Sequence, residues 1–430
     1  MTMAEKLPDN WNASTLGLVA HGFLSGETPS TKNETFWQGS VPWITSKWLN
    51  SRLYIDNGEK FISEDALKQS ATTVVPRNNL IFATRVGVGK VAVNNIDLAI
   101  NQDLAGVLVD SDRHDIRFLA YQLRSDRIQR TVASHKRGAT IQGITRDALK
   151  ELEIYLPPLA EQGKIAGVLG LVQLALQEQE RLIALTTELK KALLHQLFTQ
   201  GLRGEPQKQT EIGPVPESWV VVPLGEYLTE AQYGISAKGS ESGRYAVLRM
   251  TNQRQGRISS DNLQYVELTA DQFQKFRVER QDILFNRTNS LDLVGRTAIF
   301  DLEGDFVFAS YLIRLRTNAE YLRPFFLNHY FNWEETQVRL KSIATRAVSQ
   351  SNISATRLRS FLVPVPKPGE QDEIVEKVDC LDQKLSVHAR KYAALTALFR
   401  TLLHQLMTAQ IRVHDLDLPE LTSFTAKGAH

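Results

Sequence analysis

Two short runs carry the side chains best suited to chemistry. Arg85, Gly87, Gly89 and Lys90 place two cations around a glycine-bearing turn after the apolar NLIFAT, and Arg287, Asn289, Gly295 and Arg296 follow DILF in a related way. Glycine lets a backbone approach a phosphate closely, and arginine and asparagine hydrogen-bond to phosphates or to base edges. The chemistry on offer is therefore contact with a nucleic acid. Candidates of the same kind are Thr28, Ser30, Thr31 and Lys32 in a polar loop, Lys136 and Arg137 in SHKRGAT, and farther on Lys238, Arg244, Arg249, Lys341 and Arg346. Ordinary solvated turns and plain surface charge are the competing reading.

Catalytic patterns are missing where they would be legible. A phosphate-binding P-loop needs glycine-rich backbone followed by Lys-Ser/Thr; Gly87-Val88-Gly89-Lys90-Val91 has neither the spacing nor the hydroxyl. The nine histidines are scattered, and His195 and His404 have no carboxylate or cysteine at metal-ligand spacing in sequence. No catalytic, cofactor-binding or metal-binding residues are assigned, although nucleases built from dispersed carboxylates leave weaker signatures.

The whole chain must supply the elements that position these turns. Its 430 residues allow a sizeable core, and 50 Lys+Arg against 48 Asp+Glu leave a net charge of only +2, so any nucleic-acid contact has to come from local patches. The single cysteine, Cys380, fits a reducing compartment, and a cytoplasmic location is expected. Glu5, Pro8, Asp9 and Asn10 precede any apolar stretch, and the apolar segment around Ile165 to Leu176 is shorter than the roughly 18 residues of a membrane span, so neither export nor insertion is expected.

The halves of the chain echo each other. LPDNWNASTLG matches VPESWVVVPLG, pairing Pro8 with Pro216, Trp11 with Trp219, Leu16 with Leu224 and Gly17 with Gly225. Downstream, PPLAEQGKI pairs with PKPGEQDEI and ALLHQLFT with TLLHQLMT, bringing Glu161, Gln162 and His195 against Glu370, Gln371 and His404. Between these landmarks Ile374, Val378, Leu381, Leu385, His388, Tyr392, Leu395, Phe399, Leu402 and Leu406 step alternately by four and three, a heptad seam. The first copy repeats it with Ile165, Leu169, Val172, Leu176, Ile183, Leu193 and Leu197, broken by the polar Gln179, Thr186 and Lys190. Two long helices packed on each other are expected; an amphipathic surface helix on each domain is the alternative. A seam of about 33 residues would span roughly 50 Å.

Around these helices, short apolar runs broken by Gly, Asn and Asp read as strands with intervening helices. Boundaries follow: a domain over 1–157, a long helix over 158–200, a linker over 201–214, a second domain over 215–364, a second long helix over 365–409 and a loose tail over 410–430. Thr145 and Ser354, before RDALKEL and ATRLRSF, read as helix N-caps. The domain faces diverge: GETPSTKNETFWQGSVPWIT has no close counterpart in the second half, which instead has QYGISAKGSESGRYAVLRMTN.

The EQ-led helices, the LLHQL ends, EIGPVPESW, the GETPSTKN and PWIT runs and FNRTNSLDLVGR together resemble the specificity subunit of a type I restriction-modification enzyme, over nearly the whole chain. The resemblance implies an α+β fold with a pseudo-two-fold repeat: two similar mixed α/β target recognition domains joined by two long antiparallel coiled-coil helices. It also implies a non-catalytic chain that reads a split site in double-stranded DNA, one half per domain. Two modification subunits would supply S-adenosylmethionine-dependent adenine methylation, and restriction subunits would add ATP- and magnesium-dependent translocation and cleavage. The chain itself has no methyltransferase run of Asp/Asn-Pro-Pro-aromatic type, since Pro157-Pro158 lies between leucines. Val168, Leu171 and Leu174, outside the seam, are candidate docking residues for those partners. The helices would act as a ruler, ~50 Å corresponding to roughly 15 base pairs. An autonomous DNA-binding regulator and a coiled-coil adaptor that never touches DNA are the rival readings.

Overall fold

The computed structural model describes residues 7–135, 143–346 and 350–413. The chain divides into two compact units, residues 1–181 with 390–430 and residues 182–389.

In the first unit a five-stranded sheet runs in the order Ala20–Ser25, Leu104–Val109, Asn79–Ala83, Val91–Asn94, Tyr54–Ile55. Its central strand NLIFA is buried throughout, because both faces are covered and no alternation with polar residues is needed. One face meets a four-stranded sheet, Lys60–Ile62, Val41–Ile44, Leu98–Ile100, Thr73–Val75, across Ile44, Ile81, Ala83, Leu98 and Ile100. The other receives helices Ile116–Arg124 and Asp126–Ser134 together with Ile165 and Leu169.

The second unit repeats the plan. Its main sheet runs Leu228–Tyr233, Leu312–Thr317, Ile283–Asn286, Thr297–Ile299, Arg257–Ile258, Gln253–Arg254, and helices Pro324–Asn332 and Glu334–Ser342 follow. Each unit also pairs the strand after its repeated tryptophan with the strand before its long helix: Asn12–Thr15 with Glu153–Leu156, and Val220–Pro223 with Leu362–Val365. Thr145 and Ser354 do cap short helices, accepting from the N–H of Ala148 and of Arg357.

The long helices are Leu159–Gln200 and Pro368–Met407. Gly201, at φ +68°, ends the first in a conformation that suits glycine. Every seam position expected from the heptads is buried or half-buried, polar Gln179, Thr186, Lys190 and His388 included, while Leu185, Leu189 and Leu398 lie exposed. Each unit contains an antiparallel stretch of the two helices. In the first, Tyr392 donates to Glu180 at 2.8 Å and Arg412 reaches back to Glu161; in the second, Lys190 pairs with Asp382 and Leu202 N–H meets Glu370.

The LLHQL ends explain how each unit closes. Leu403, Leu406 and Met407, from the end of the second helix, lie in the core of the first domain, whereas Leu194, Leu197 and Phe198, from the end of the first helix, lie in the core of the second. The repeated EQ pair has an equally definite role. Buried Gln162 accepts from Asp115 N–H at 3.0 Å and donates to Pro157 O; buried Gln371 accepts from Arg323 N–H at 2.7 Å and donates to Pro366 O and Tyr321 O. Each glutamine thus pins a domain helix to the start of the following long helix.

Three expectations need correction, on the linker, the tail and the apolar length of the first helix. The 201–214 linker is not featureless, since Gln207–Thr210 and Gly213–Pro216 form an antiparallel hairpin closed by Thr210 Oγ1 donating to Gly213 O. The tail is not loose from 410: Arg412 pairs with Glu161 at 2.8 Å and Val413 is buried, while 414–430 lie outside the described residues. The long helices themselves keep the expected bounds to within three residues, and the two units divide each of them. Finally, Leu159–Gln200 is long and apolar enough to cross a membrane, although 39% of its most apolar window is buried inside the protein, where the seam and the domain cores account for its leucines.

Candidate nucleic-acid interface

The two glycine turns close in the same way, although the second, over 287–295, is three residues longer than the first, over 84–89. In the first domain it leaves strand Asn79–Ala83, and Gly89 N–H returns to Ala83 O at 3.0 Å while Ala83 N–H donates to Lys90 O at 2.9 Å. In the second it leaves Ile283–Asn286, with Gly295 N–H on Asn286 O at 2.9 Å and Asn286 N–H on Arg296 O at 2.8 Å. A glutamine clamps each from the second helix of the pair. Gln129 Nε2 donates to Gly89 O at 2.8 Å and Leu123 O at 2.7 Å; Gln337 Nε2 donates to Gly295 O at 2.9 Å and Phe331 O at 2.6 Å. Gly89 and Gly295, at φ +94° and +89°, supply the left-handed backbone that the return requires. Lys90 and Arg296 therefore occupy equivalent, exposed positions on a rigid turn, which suits contact with a charged polymer.

The other candidates divide by what holds them. Arg85, Ser30, Thr31, Lys32, Lys238 and Arg244 are exposed, Arg244 beside the Tyr245 ring at 5.2 Å. Thr28 is tied to Gln102 at 2.7 Å, and Lys90 Nζ donates to Leu49 O at 2.8 Å. Arg249 donates to Asn262 O, Arg287 to Asn352 and Ser310, and Asn289 contacts Met250 Sδ at 2.8 Å, so these three are part-buried and partnered inside the domain. Lys341 is half-buried in helix Glu334–Ser342, and Arg346 has its backbone in strand Thr345–Arg346. Lys136 and Arg137 lie outside the described residues. Of the candidate docking residues, Leu171 and Leu174 are exposed, whereas Val168 packs on the first domain's core.

Several arginines are structural. Arg124 donates to the carbonyls of Ser51, Arg52 and Val91, and burial lowers its pKa to about 10. Arg314 is buried among Glu230, Gln232 and Asp282, and burial raises the Asp282 carboxyl above its usual range despite Arg316 at 2.7 Å.

Helix Pro324–Asn332 carries His329, whose Nε2 shares a hydrogen bond with Asp379 at 2.9 Å, and ligand atoms of His329, Asp379 and Asp382 lie within 4.8 Å of one another. Arg257 binds Asp379 at 3.1 Å and Lys190 binds Asp382, so two cations already neutralise both carboxylates and the cluster is an ion network joining the domain to both long helices. Burial pushes the Asp379 carboxyl up, but His329 and Arg257 outweigh it and hold the group below its ordinary value. His195, with no carboxylate at ligand spacing in the sequence, meets one from a distant segment, Glu335 at 3.0 Å.

Sequence reasoning missed Ser25, Gln102, Arg146, Tyr233, Ser310 and Asn352, which surround the starts of the two turns. In the first domain Arg85, Gln102, Ser25 and Arg146 line one cleft, with no carboxylate among the described residues that line it. Only the matched backbone bonds of the two copies reveal the set.

Comparison with known proteins gives one family. The model described as the type I restriction modification DNA specificity domain matches residues 8–188 and 216–397. The MjaIX specificity subunit of Methanocaldococcus jannaschii is 27% identical over 232 residues, 52% of this chain and 52% of that protein; the putative MjaX specificity subunit of the same organism is 28% identical over 51% of this chain. The chain spans about half the length of these two relatives. The EcoKI specificity subunit of Escherichia coli is 22% identical over 88% of this chain and 83% of its own length. Among solved structures, the S subunit of a type I restriction-modification system from M. genitalium matches with a TM-score of 0.61 at 18% identity, covering 93% of this chain and 97% of that one.

Proposed function

Because the chain belongs to the type I restriction-modification DNA specificity family, we propose that it is the DNA-reading subunit of such a system, each domain reading one half of a split double-stranded site. The observation that carries this reading is the pair of identically clamped turns offering different side chains, Arg85 and Lys90 in one domain and Arg287, Asn289 and Arg296 in the other. A common scaffold with different displayed groups suits two readers of different sequences, with phosphate contacts fixing register and base-edge contacts specifying.

The chain contributes recognition and no catalysis. Two modification subunits supply adenine methylation from S-adenosylmethionine, and restriction subunits supply ATP- and magnesium-dependent translocation and cleavage, all in the cytoplasm. The number of residues in the long helices sets the unread spacer between half-sites.

The test is co-expression with a modification subunit of the same system, in a host without adenine methylation, followed by genome-wide mapping of methylated adenine. A split motif seen only when this chain is present is the expected result. A stable complex that adds no new methylation with an active methyltransferase counts against the reading, and failure to form any complex turns it towards an autonomous binder or an adaptor.

A further inference from the structure

Where the clamped turns begin, the two domains share a backbone and differ in side chains. Thr84 N–H donates to Asp103 O and Thr84 O accepts from Ile144 N–H at 2.9 Å; Arg287 N–H donates to Tyr311 O and Arg287 O accepts from Ile353 N–H at 2.9 Å. The neighbouring edge strands pair alike, Ser25 opposite Ala105 and Tyr233 opposite Ile313. Ser25 thus corresponds to Tyr233, Thr84 to Arg287, and Arg146 to Ala355, each of the last two directly following the serine or threonine cap of its short helix.

In the first domain the guanidinium at this corner comes from the helix start: Arg146 donates to Ser25 Oγ, with exposed Arg85 in the same cleft. In the second it comes from the turn: Arg287 lies 4.6 Å over the ring of Tyr233 and donates to Asn352 Oδ1 and Ser310 O. The place of Arg146 is taken by Ala355, whose backbone N–H donates to the Tyr233 hydroxyl at 2.8 Å. One scaffold thus delivers its guanidinium from two different segments.

We propose that this corner determines half-site sequence, with Arg146 the specificity-determining residue of the first domain and Arg287 that of the second. The inference rests on the DNA-reading function above and locates it. A guanidinium recognises guanine O6 and N7 through two fixed N–H groups, so discrimination depends on the direction from which it is held. Ser25 sets that direction for Arg146, and Tyr233 with Asn352 sets it for Arg287. Moving the origin of the arginine changes which base pair it meets while the surrounding backbone bonds are kept.

The experiment uses the full chain with its methyltransferase and maps methylated adenine in host genomic DNA for wild type, Arg146→Ala, Arg287→Ala and Arg287→Lys. Arg287→Lys keeps a part-buried cation and guards against loss of folding. Expected is a roughly tenfold to hundredfold loss of discrimination at one or two base pairs, confined to one half-site for Arg146→Ala and to the other for both Arg287 variants. An unchanged motif at an unchanged rate in all variants overturns the inference and leaves the DNA-reading function standing. A uniform fall in rate with both half-sites intact overturns it too, because the arginines would then contact phosphates only. No motif with the wild-type chain removes the function itself.

Discussion

The side-chain amide of Gln129 donates to the carbonyl of Gly89 at 2.8 Å, and a methyl group at Gly89 would lie 2.4 Å from Gln129 Oε1. A side chain at that position would therefore push the Gln129 amide off the turn. Gly89→Ala should cost about 1–2 kcal/mol from the left-handed backbone alone, lower the melting temperature, and release the clamp. Methylation mapping should then show weakened readout in one half-site only, and Gly295→Ala should weaken the other.

Acid should loosen the second unit through Asp379. Its carboxyl is held below the ordinary value, so its charged form is favoured by folding; that stabilisation is fully present above the unfolded value and is lost as pH falls through the folded one. The Asp379 contribution, read as the difference in melting temperature between wild type and Asp379→Asn, should be constant above about pH 5 and shrink below about pH 4, with the variant the less stable at neutral pH. An acid limb unchanged by Asp379→Asn would reject this account.

Arg412 covers a buried carboxylate. It donates to Glu161 at 2.8 and 3.0 Å, and Trp11 Nε1 donates to the same group at 3.3 Å. Arg412→Ala should destabilise the first unit by about 3 kcal/mol, since an unpaired charge would be left inside. Hydrogen exchange should rise in strand Asn12–Thr15 and not in strand Ile283–Asn286.

Four residues inserted into one long helix add about 6 Å at 1.5 Å per residue, close to two base pairs of 3.4 Å. The mapped motif should keep both half-sites and lengthen its spacer by about one or two base pairs. An unaltered spacer would remove the ruler role.

The long helices were legible because a heptad is local: each seam residue announces itself by its distance from the next. The caps at Thr145 and Ser354 were legible for the same reason. Which domain receives which helix end was not, because Leu194 and Leu403 stand in identical LLHQL contexts and only tertiary packing sends one to each core. The hairpin at 207–216 was hidden by its polar, proline-bearing composition. The corner around Arg146 and Arg287 was hidden by distance: Ser25, Gln102 and Arg146 come from three separated segments, and Tyr233, Ser310 and Asn352 from three others.

Asn10 and Arg412 are hydrogen-bonded at 3.0 Å although almost the whole chain lies between them. The first domain is therefore finished only when synthesis reaches the end of the second helix. During synthesis of the natural chain the second domain completes its core first, so the amino-terminal domain waits longest with its apolar surface uncovered.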